Sequence, residues 1–162
     1  MKVSEVKFED LSEITYRIFL REYPSIESSV GGARILVIEF NGKHRIGSEG
    51  NNDSVFMATI VRAAMNVWYV DGIVLDFSDL IYEWGNSIGD VLLAGKSVLG
   101  RKFPTAVVVS ELSRPALESA QPFYAADSQS GGQAKWLFAD LNSAAVYIHE
   151  HIELSGTEKP KS

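Results

Sequence analysis

Hydrophobic positions along the chain follow two different periods, which predict alternating strands and helices. The short apolar run Ile73–Phe77 is typical of a strand buried in a parallel sheet. From Ile88 to Leu99 the apolar residues recur every three or four positions, which predicts a helix. The polar segment Glu83–Ser87 lies between them and predicts a turn. In open α/β folds, a turn from a strand into a helix forms part of the working surface.

The first third of the chain predicts a hairpin. Alternating apolar and polar residues over Glu13–Arg21 indicate a strand, although a helix over Glu9–Tyr23 fits the same residues. Ala33–Phe40 predicts a second strand, which would pair with the first after a polar turn. The glycine- and asparagine-rich segment Asn41–Asn52 predicts a loop.

A helix is predicted after this loop. Asp53 or Ser54 would cap its first turn by accepting a backbone N–H, and the helix would run to about Tyr69. Asp71–Gly72 would then turn the chain into the central strand. The predicted inner face consists of Phe56, Ile60, Ala63, Ala64 and Val67.

The last third predicts two further pairs of a strand and a helix. Thr105–Ser110 reads as a strand, and a short helix follows from Ser113 to about Ala120. After a predicted loop over Gln121–Ala134, Lys135–Ala139 reads as a last short strand. Asp140 would cap the final helix. The core face of that helix would consist of Leu141, Ala144, Ala145, Ile148 and Ile152.

The predicted order of elements is β-β-α-β-α-β-α-β-α. A helix between successive strands implies right-handed crossovers and a mostly parallel sheet, here of four to five strands. The first hairpin would supply an antiparallel edge. We therefore expect a single α/β domain over residues 1–154 and a polar, frayed tail over residues 155–162.

Composition narrows the class of protein. The 162 residues are 46% apolar and 22% charged, close to the globular average, and no apolar run is long enough to suggest a membrane span. The 15 basic and 21 acidic residues give a net charge of −6, which opposes binding to nucleic acid. The absence of cysteine excludes disulfides and thiol catalysis, and fits the cytoplasm. The start of the sequence shows no apolar signal core.

The central stretch is similar to a known family. Val74, Leu75, Asp76, Phe77 and Ser78 match a strand of the form V-L-D-L-S, and Ile88–Leu93 matches the start of the helix that follows it. Leu137–Ala144 also fits a last strand that leads into a C-terminal helix. In these features and in element order the chain resembles the STAS domain (sulphate transporter and anti-sigma-factor antagonist). The resemblance implies a regulatory, non-enzymatic module that binds an anti-sigma or kinase-like partner protein.

The turn departs from the pattern of that family. Where STAS domains carry Asp-Ser-Ser, this chain has Trp84-Gly85-Asn86-Ser87. Counting from the strand aligns Gly85 and Asn86 with the two serines, whereas counting back from the helix aligns Asn86 and Ser87. Only the second register leaves a hydroxyl where family kinases act, which makes Ser87 a candidate phosphorylation site. A phosphate there would add about two negative charges at a helix N-terminus.

Each candidate residue also has a purely structural interpretation. Ser87 and Asp90 fit a capping box, which needs no partner. Asp76 could hydrogen-bond to nearby backbone instead of contacting a partner. Trp84 is either an exposed binding residue or a lid folded back onto the sheet.

Other motifs do not support catalysis or cofactor binding. Ala94–Ser97 suggests a phosphate-binding loop, but its glycine spacing is wrong and its lysine falls inside a helix. His149 and His151 are two residues apart, so their rings diverge on a helix and do not form a metal site. His44 lies in a loop, and no G-x-S-x-G motif is present. We therefore expect no cofactor and no metal.

The sequence thus predicts a cytoplasmic protein-binding module. Alternatives are an acidic inhibitor that neutralises a basic, toxin-like partner, and a small enzyme or ligand-binding domain of crotonase-like α/β type. Neither nucleic acid nor a membrane is an expected partner, and the sequence leaves the oligomeric state open. The predicted partner-binding residues are Asn52, Asp53, Asp76, Ser78, Glu83, Trp84, Asn86 and Ser87.

Overall fold

The computed structural model describes residues 4–23, 32–98, 101–102, 104–119 and 136–156. Short 3-10 turns occur at Phe8–Leu11 and Gly47–Glu49. In chain order the strands and helices are β1 (Thr15–Tyr23), β2 (Ala33–Lys43), α1 (Gly50–Val67), β3 (Gly72–Phe77), β4 (Leu80–Ile81), α2 (Ile88–Lys96), β5 (Ser97–Val98), β6 (Arg101–Lys102), β7 (Thr105–Val109), α3 (Arg114–Ser119), β8 (Leu137–Phe138) and α4 (Leu141–Gly156).

The main sheet is mixed and mostly parallel. Its strands lie in the order β1-β2-β3-β7-β8, and β4 pairs with the end of β2 as a sixth strand. β1 is antiparallel to β2, whereas the pairs from β2 to β8 are parallel. This confirms the predicted α/β class and the antiparallel edge. The short β4 and the separate β5–β6 hairpin were not predicted.

Side chains of the central strand alternate between two cores. Ile73, Leu75 and Phe77 pack in the larger core, which the sheet forms with α1 and α2. Val74 points to the opposite face, where it packs with Ala144 and Ile148 of α4. All residues of β3 are buried, as expected for a strand covered by helices on both faces.

Residues 9–53 require several corrections. Thr15–Tyr23 is a strand paired along its length with β2, so the alternative helix over Glu9–Tyr23 is wrong. The predicted loop Asn41–Asn52 is only partly a loop, because β2 extends to Lys43 and α1 begins at Gly50. Asp53 therefore lies inside the first turn of α1, and Ser54 follows it within the helix. Neither is its N-cap.

The buried face of α1 differs from the prediction at two residues, and α2 is shorter than predicted. Ala63 and Val67 are exposed on α1, whereas Phe56, Ile60 and Ala64 are buried as predicted. The helix predicted to reach Leu99 ends at Lys96, where the chain enters β5.

At the last helix, the predicted cap is confirmed, since Asp140 Oδ1 accepts a hydrogen bond from the Ser143 backbone N–H at 2.9 Å. Ser155 belongs to α4 and not to a tail. The predicted loop Gln121–Ala134 lies outside the described residues, as do residues 157–162.

Across the part of the chain that the structure describes, no helix combines the length and apolar character needed to cross a bilayer.

Candidate functional site

The predicted site lies at the carboxyl edge of the parallel strands. β2 leads through the Gly47–Glu49 turn into α1, and β3 leads through β4 and the Glu83–Ser87 turn into α2. Because β2 and β3 are parallel neighbours, the N-termini of α1 and α2 lie at the same end of the sheet. Parallel α/β sheets commonly bind their ligands at this end.

The Glu83–Ser87 turn is presented to solvent. Trp84 is 66% exposed, so it is not a lid on the core. Just before the turn, Tyr82 is 1% exposed, and its hydroxyl donates a hydrogen bond to the Gly85 carbonyl. Gly85 has φ of 147°, a backbone conformation that residues with a side chain rarely adopt. A buried aromatic residue and a glycine thus fix a turn whose indole faces outward.

Two exposed aliphatic residues accompany Trp84 at this edge. Ile81 is 46% exposed and Leu112 is 83% exposed. The two segments are joined by buried Ser113, whose hydroxyl donates to the Leu80 carbonyl at 2.8 Å and accepts from the Tyr82 N–H at 3.0 Å. We call Ile81, Trp84 and Leu112 the docking face. Exposed apolar residues on neighbouring segments are candidates for a protein-binding surface.

The charged groups beside the docking face are mostly acidic. Lys43 Nζ lies 3.5 Å from Glu83 Oε1, and both side chains are more than half exposed. Asp79 and Glu111 are also exposed at this edge. An exposed ion pair of this kind adds little to stability, so Lys43 and Glu83 remain available to a partner.

Asp76 and Ser78 form a local structure at the end of β3. Asp76 is 8% exposed, and its Oδ1 accepts hydrogen bonds from the Ser78 N–H at 2.9 Å and from the Ser78 hydroxyl at 2.6 Å. The backbone-bonding interpretation of Asp76 is therefore what the structure shows. Ser78 itself is exposed.

Ser87 connects the two helix N-termini. Its backbone carbonyl accepts from the Asp90 N–H at 3.0 Å. Its hydroxyl, however, points to α1, where it lies 3.0 Å from Ser54 Oγ and 3.5 Å from the Gly50 carbonyl. This contact between helices takes the place of the predicted capping box. Asn86 next to Ser87 is exposed, as is Asn52 on the outer side of α1.

His44 continues this chain of hydrogen bonds into the interior. It is 1% exposed, with Nδ1 2.8 Å from the Arg45 carbonyl and Nε2 2.8 Å from Ser54 Oγ. A carbonyl only accepts, so Nδ1 carries the hydrogen and Nε2 of the neutral ring accepts from Ser54. Ser54 then has no second hydrogen to give, and Ser87 donates to it. Burial lowers the pKa of His44, which favours this neutral form.

Asp53 is the centre of an adjoining buried ion pair. It is 1% exposed and accepts from the Ser12 hydroxyl at 2.6 Å and from the Arg45 N–H at 2.7 Å. The Arg45 guanidinium adds contacts of 2.8 to 3.2 Å and also donates to the Leu11 carbonyl at 2.7 Å. Burial raises the pKa of Asp53, but the hydrogen bonds from Arg45 and Ser12 outweigh it and hold that pKa below its usual value. The carboxylate is therefore a structural group beneath the surface.

The structure brings together only part of the predicted site. Glu83, Trp84 and Asn86 lie on the exposed turn, whereas the Asp53 carboxylate is buried. Sequence reasoning missed the structural roles of His44 and Ser54 and the exposure of Leu112. Their partners are distant in sequence, and no local pattern indicates the contacts.

Comparisons with family models, with curated proteins and with solved structures each return no match. The likeness to STAS domains therefore stays a prediction from the sequence.

Proposed function

We propose that the protein is a non-enzymatic regulatory module that binds a partner protein through the docking face and the Glu83–Ser87 turn. The observation that carries the proposal is the 66% exposure of Trp84 on a turn fixed by buried Tyr82. An exposed indole on a rigid support loses little conformational entropy on binding and buries a large area, which is why tryptophan is enriched in binding hot spots.

The resemblance to STAS domains supports the choice of partner. Val74–Ser78 and Ile88–Leu93 match the family pattern on either side of this turn. An anti-sigma or kinase-like protein of the cytoplasm is accordingly the partner class that we propose. The net charge of −6 is compatible with a basic contact surface on that partner.

Replacing Trp84 with alanine tests the proposal. With the partner isolated by co-purification from the native cell, we expect Trp84→Ala to weaken its binding by roughly 30-fold or more in titration calorimetry, the effect of losing a hot spot. Tyr69→Ala is the matched control, because Tyr69 is 83% exposed but precedes β3 at the opposite end of the sheet. Equal affinities for the wild type and Trp84→Ala would refute the assignment.

Ser87 is the proposed regulatory position. We expect Ser87→Glu, which imitates part of the charge of a phosphate, to weaken partner binding roughly tenfold, because the new charge cannot occupy the contact with Ser54 and must face the partner. Ser87→Ala removes the same hydroxyl without adding charge, and because Tyr82 still holds the Gly85 end of the turn, it should bind nearly as well as the wild type. If both variants lose affinity equally, the role of Ser87 is structural and not regulatory.

A further inference from the structure

His44 lies beneath both ends of the exposed turn. At one end, its ring meets the ring of Tyr82 edge-on, with centroids 5.3 Å apart, and Tyr82 holds the Gly85 carbonyl. At the other end, His44 Nε2 contacts Ser54, which contacts Ser87. The backbone N–H of His44 also donates to the Ile81 carbonyl at 3.0 Å. The buried His44 ring thus contacts Tyr82 and Ser54, which hold the two ends of the turn.

The proton on this ring fixes the direction of the hydroxyl groups. In the neutral ring, Ser87 donates to Ser54 and Ser54 donates to His44. In the charged ring both nitrogens are donors, so Ser54 must accept from Nε2 and give its hydrogen to Ser87. The hydrogen of Ser87 is then directed at the Gly50 carbonyl 3.5 Å away, beyond the range of a good O–H···O bond.

Burial, the largest effect, lowers the pKa of His44, and the groups around the ring offset it only in part. Of the described groups that face the ring, α1 offers the Asp53 carboxylate, which favours the charged form but already accepts from Arg45 and Ser12. Arg45, next in the chain, is itself positive. Tyr82 stays neutral, because burial raises its pKa to about 12, and the turn before α2 presents the Ser87 hydroxyl. The positive N-terminal ends of α1 and α2 add to the repulsion.

We propose that protonation of His44 releases the Glu83–Ser87 turn, so that partner binding at the docking face is switched off in mild acid. The loss of partner binding in mild acid rests on the proposed function, whereas release of the turn does not. A charged His44 leaves its site between Ser54 and Tyr82. The two contacts that hold the turn, Tyr82 with Gly85 and Ser54 with Ser87, then loosen together.

The sign of the stability effect follows from linkage. Because burial lowers the pKa of His44 in the folded state, the unfolded chain takes up the proton first. The native state therefore loses stability as the pH falls below about 6.5, the ordinary pKa of histidine.

A titration followed by NMR tests release of the turn without any partner. We expect the His44 ring and the amides of Gly85 and Ser87 to titrate with one shared midpoint below about pH 6.5. The Ser143 amide, held by Asp140 at the same edge, is the internal control and should not follow that midpoint. The proposal is overturned if His44 titrates while the turn amides stay unchanged, or if His44 stays neutral until the protein unfolds.

A variant and the partner complete the test. His44→Asn keeps an N–H that can donate to the Arg45 carbonyl and does not titrate, so the turn amides should lose their transition. Partner affinity should fall roughly tenfold in the wild type once the pH is about one unit below that shared midpoint, and should stay level in His44→Asn. If the variant does not fold, the wild-type titration decides. If the turn titrates but partner affinity does not change with pH, the result counts against the proposed function and leaves release of the turn standing.

Discussion

Replacing Asp53 with alanine is expected to lower the free energy of unfolding by about 3 kcal/mol, the low end for one partner of a buried ion pair. The carboxylate is 1% exposed and accepts hydrogen bonds from Ser12 and from both the backbone and the guanidinium of Arg45. The low end applies because Arg45 is 39% exposed and regains water when its partner is lost. Urea titration of the variant and the wild type measures the difference.

An exposed carboxylate provides the control for this prediction. Asp90→Asn removes a charge from the first turn of α2 and should change stability by less than about 0.5 kcal/mol, as is usual for surface sites. The pH dependence separates the two sites further. The lowered pKa of Asp53 means that its stabilisation is present above its ordinary pKa of 3.8 and is lost as the pH falls through the folded value. Equal losses in both variants would contradict the structural role of Asp53.

Asp53 also shows why the sequence gives only part of the fold. An aspartate before an amphipathic helix is the usual signal for an N-cap, since the local pattern contains no other partner for it. Its actual partners are Arg45, eight residues away, and Ser12, 41 residues away. Once these hold the carboxylate, α1 begins earlier, at Gly50. These tertiary contacts determine where α1 begins, and the local sequence pattern does not encode them.

The spacing of apolar residues predicted most of the helices and strands. It failed where the same spacing fits both a helix and a short strand. Ile73–Phe77 was correctly identified, because a short apolar run next to a glycine suits a buried strand. The helical spacing after Ile88 continues to Leu99, but the chain leaves α2 at Lys96 and pairs Ser97 with Lys102. A strand of two residues has no period of its own, which is why β4, β5 and β6 were missed. β8 is equally short and was predicted only because a longer apolar run surrounds it.

The exposed part of the candidate site was easier to predict than its support. Trp84 stands in a polar turn, so its exposure follows from its local sequence. Leu112 joins it only because the segment after β7 contacts the segment after β4 through Ser113. His44 is buried by a network that includes Ser54 on α1 and Ser87 in the turn before α2. These contacts arise from the order of strands in the sheet, which one sequence does not reveal.

Gly50 is the point at which this network is least tolerant of change, and Gly50→Ala is expected to destabilise the protein by about 3 kcal/mol, the upper range for overpacking. A Cβ at Gly50 would overlap the Arg45 carbonyl oxygen and lie 2.8 Å from His44 Cε1. The higher helix propensity of alanine offsets about 1 kcal/mol at most, so the overlap decides the sign.

Gly95→Ala is the matched helical control, because its Cβ would meet side chains of Ile73 and Thr105 at 3.4 Å, with no backbone in the way. It should leave stability unchanged or raise it by up to about 1 kcal/mol. Thermal and urea unfolding of the two variants measure the contrast directly. Because the Gly50 overlap involves backbone and the His44 ring, its relief must displace the contact of His44 with Ser54. Gly50→Ala should therefore also shift the Gly85 and Ser87 amides at neutral pH, and a destabilised variant with both amides unmoved would show that Gly50 and the exposed turn are independent.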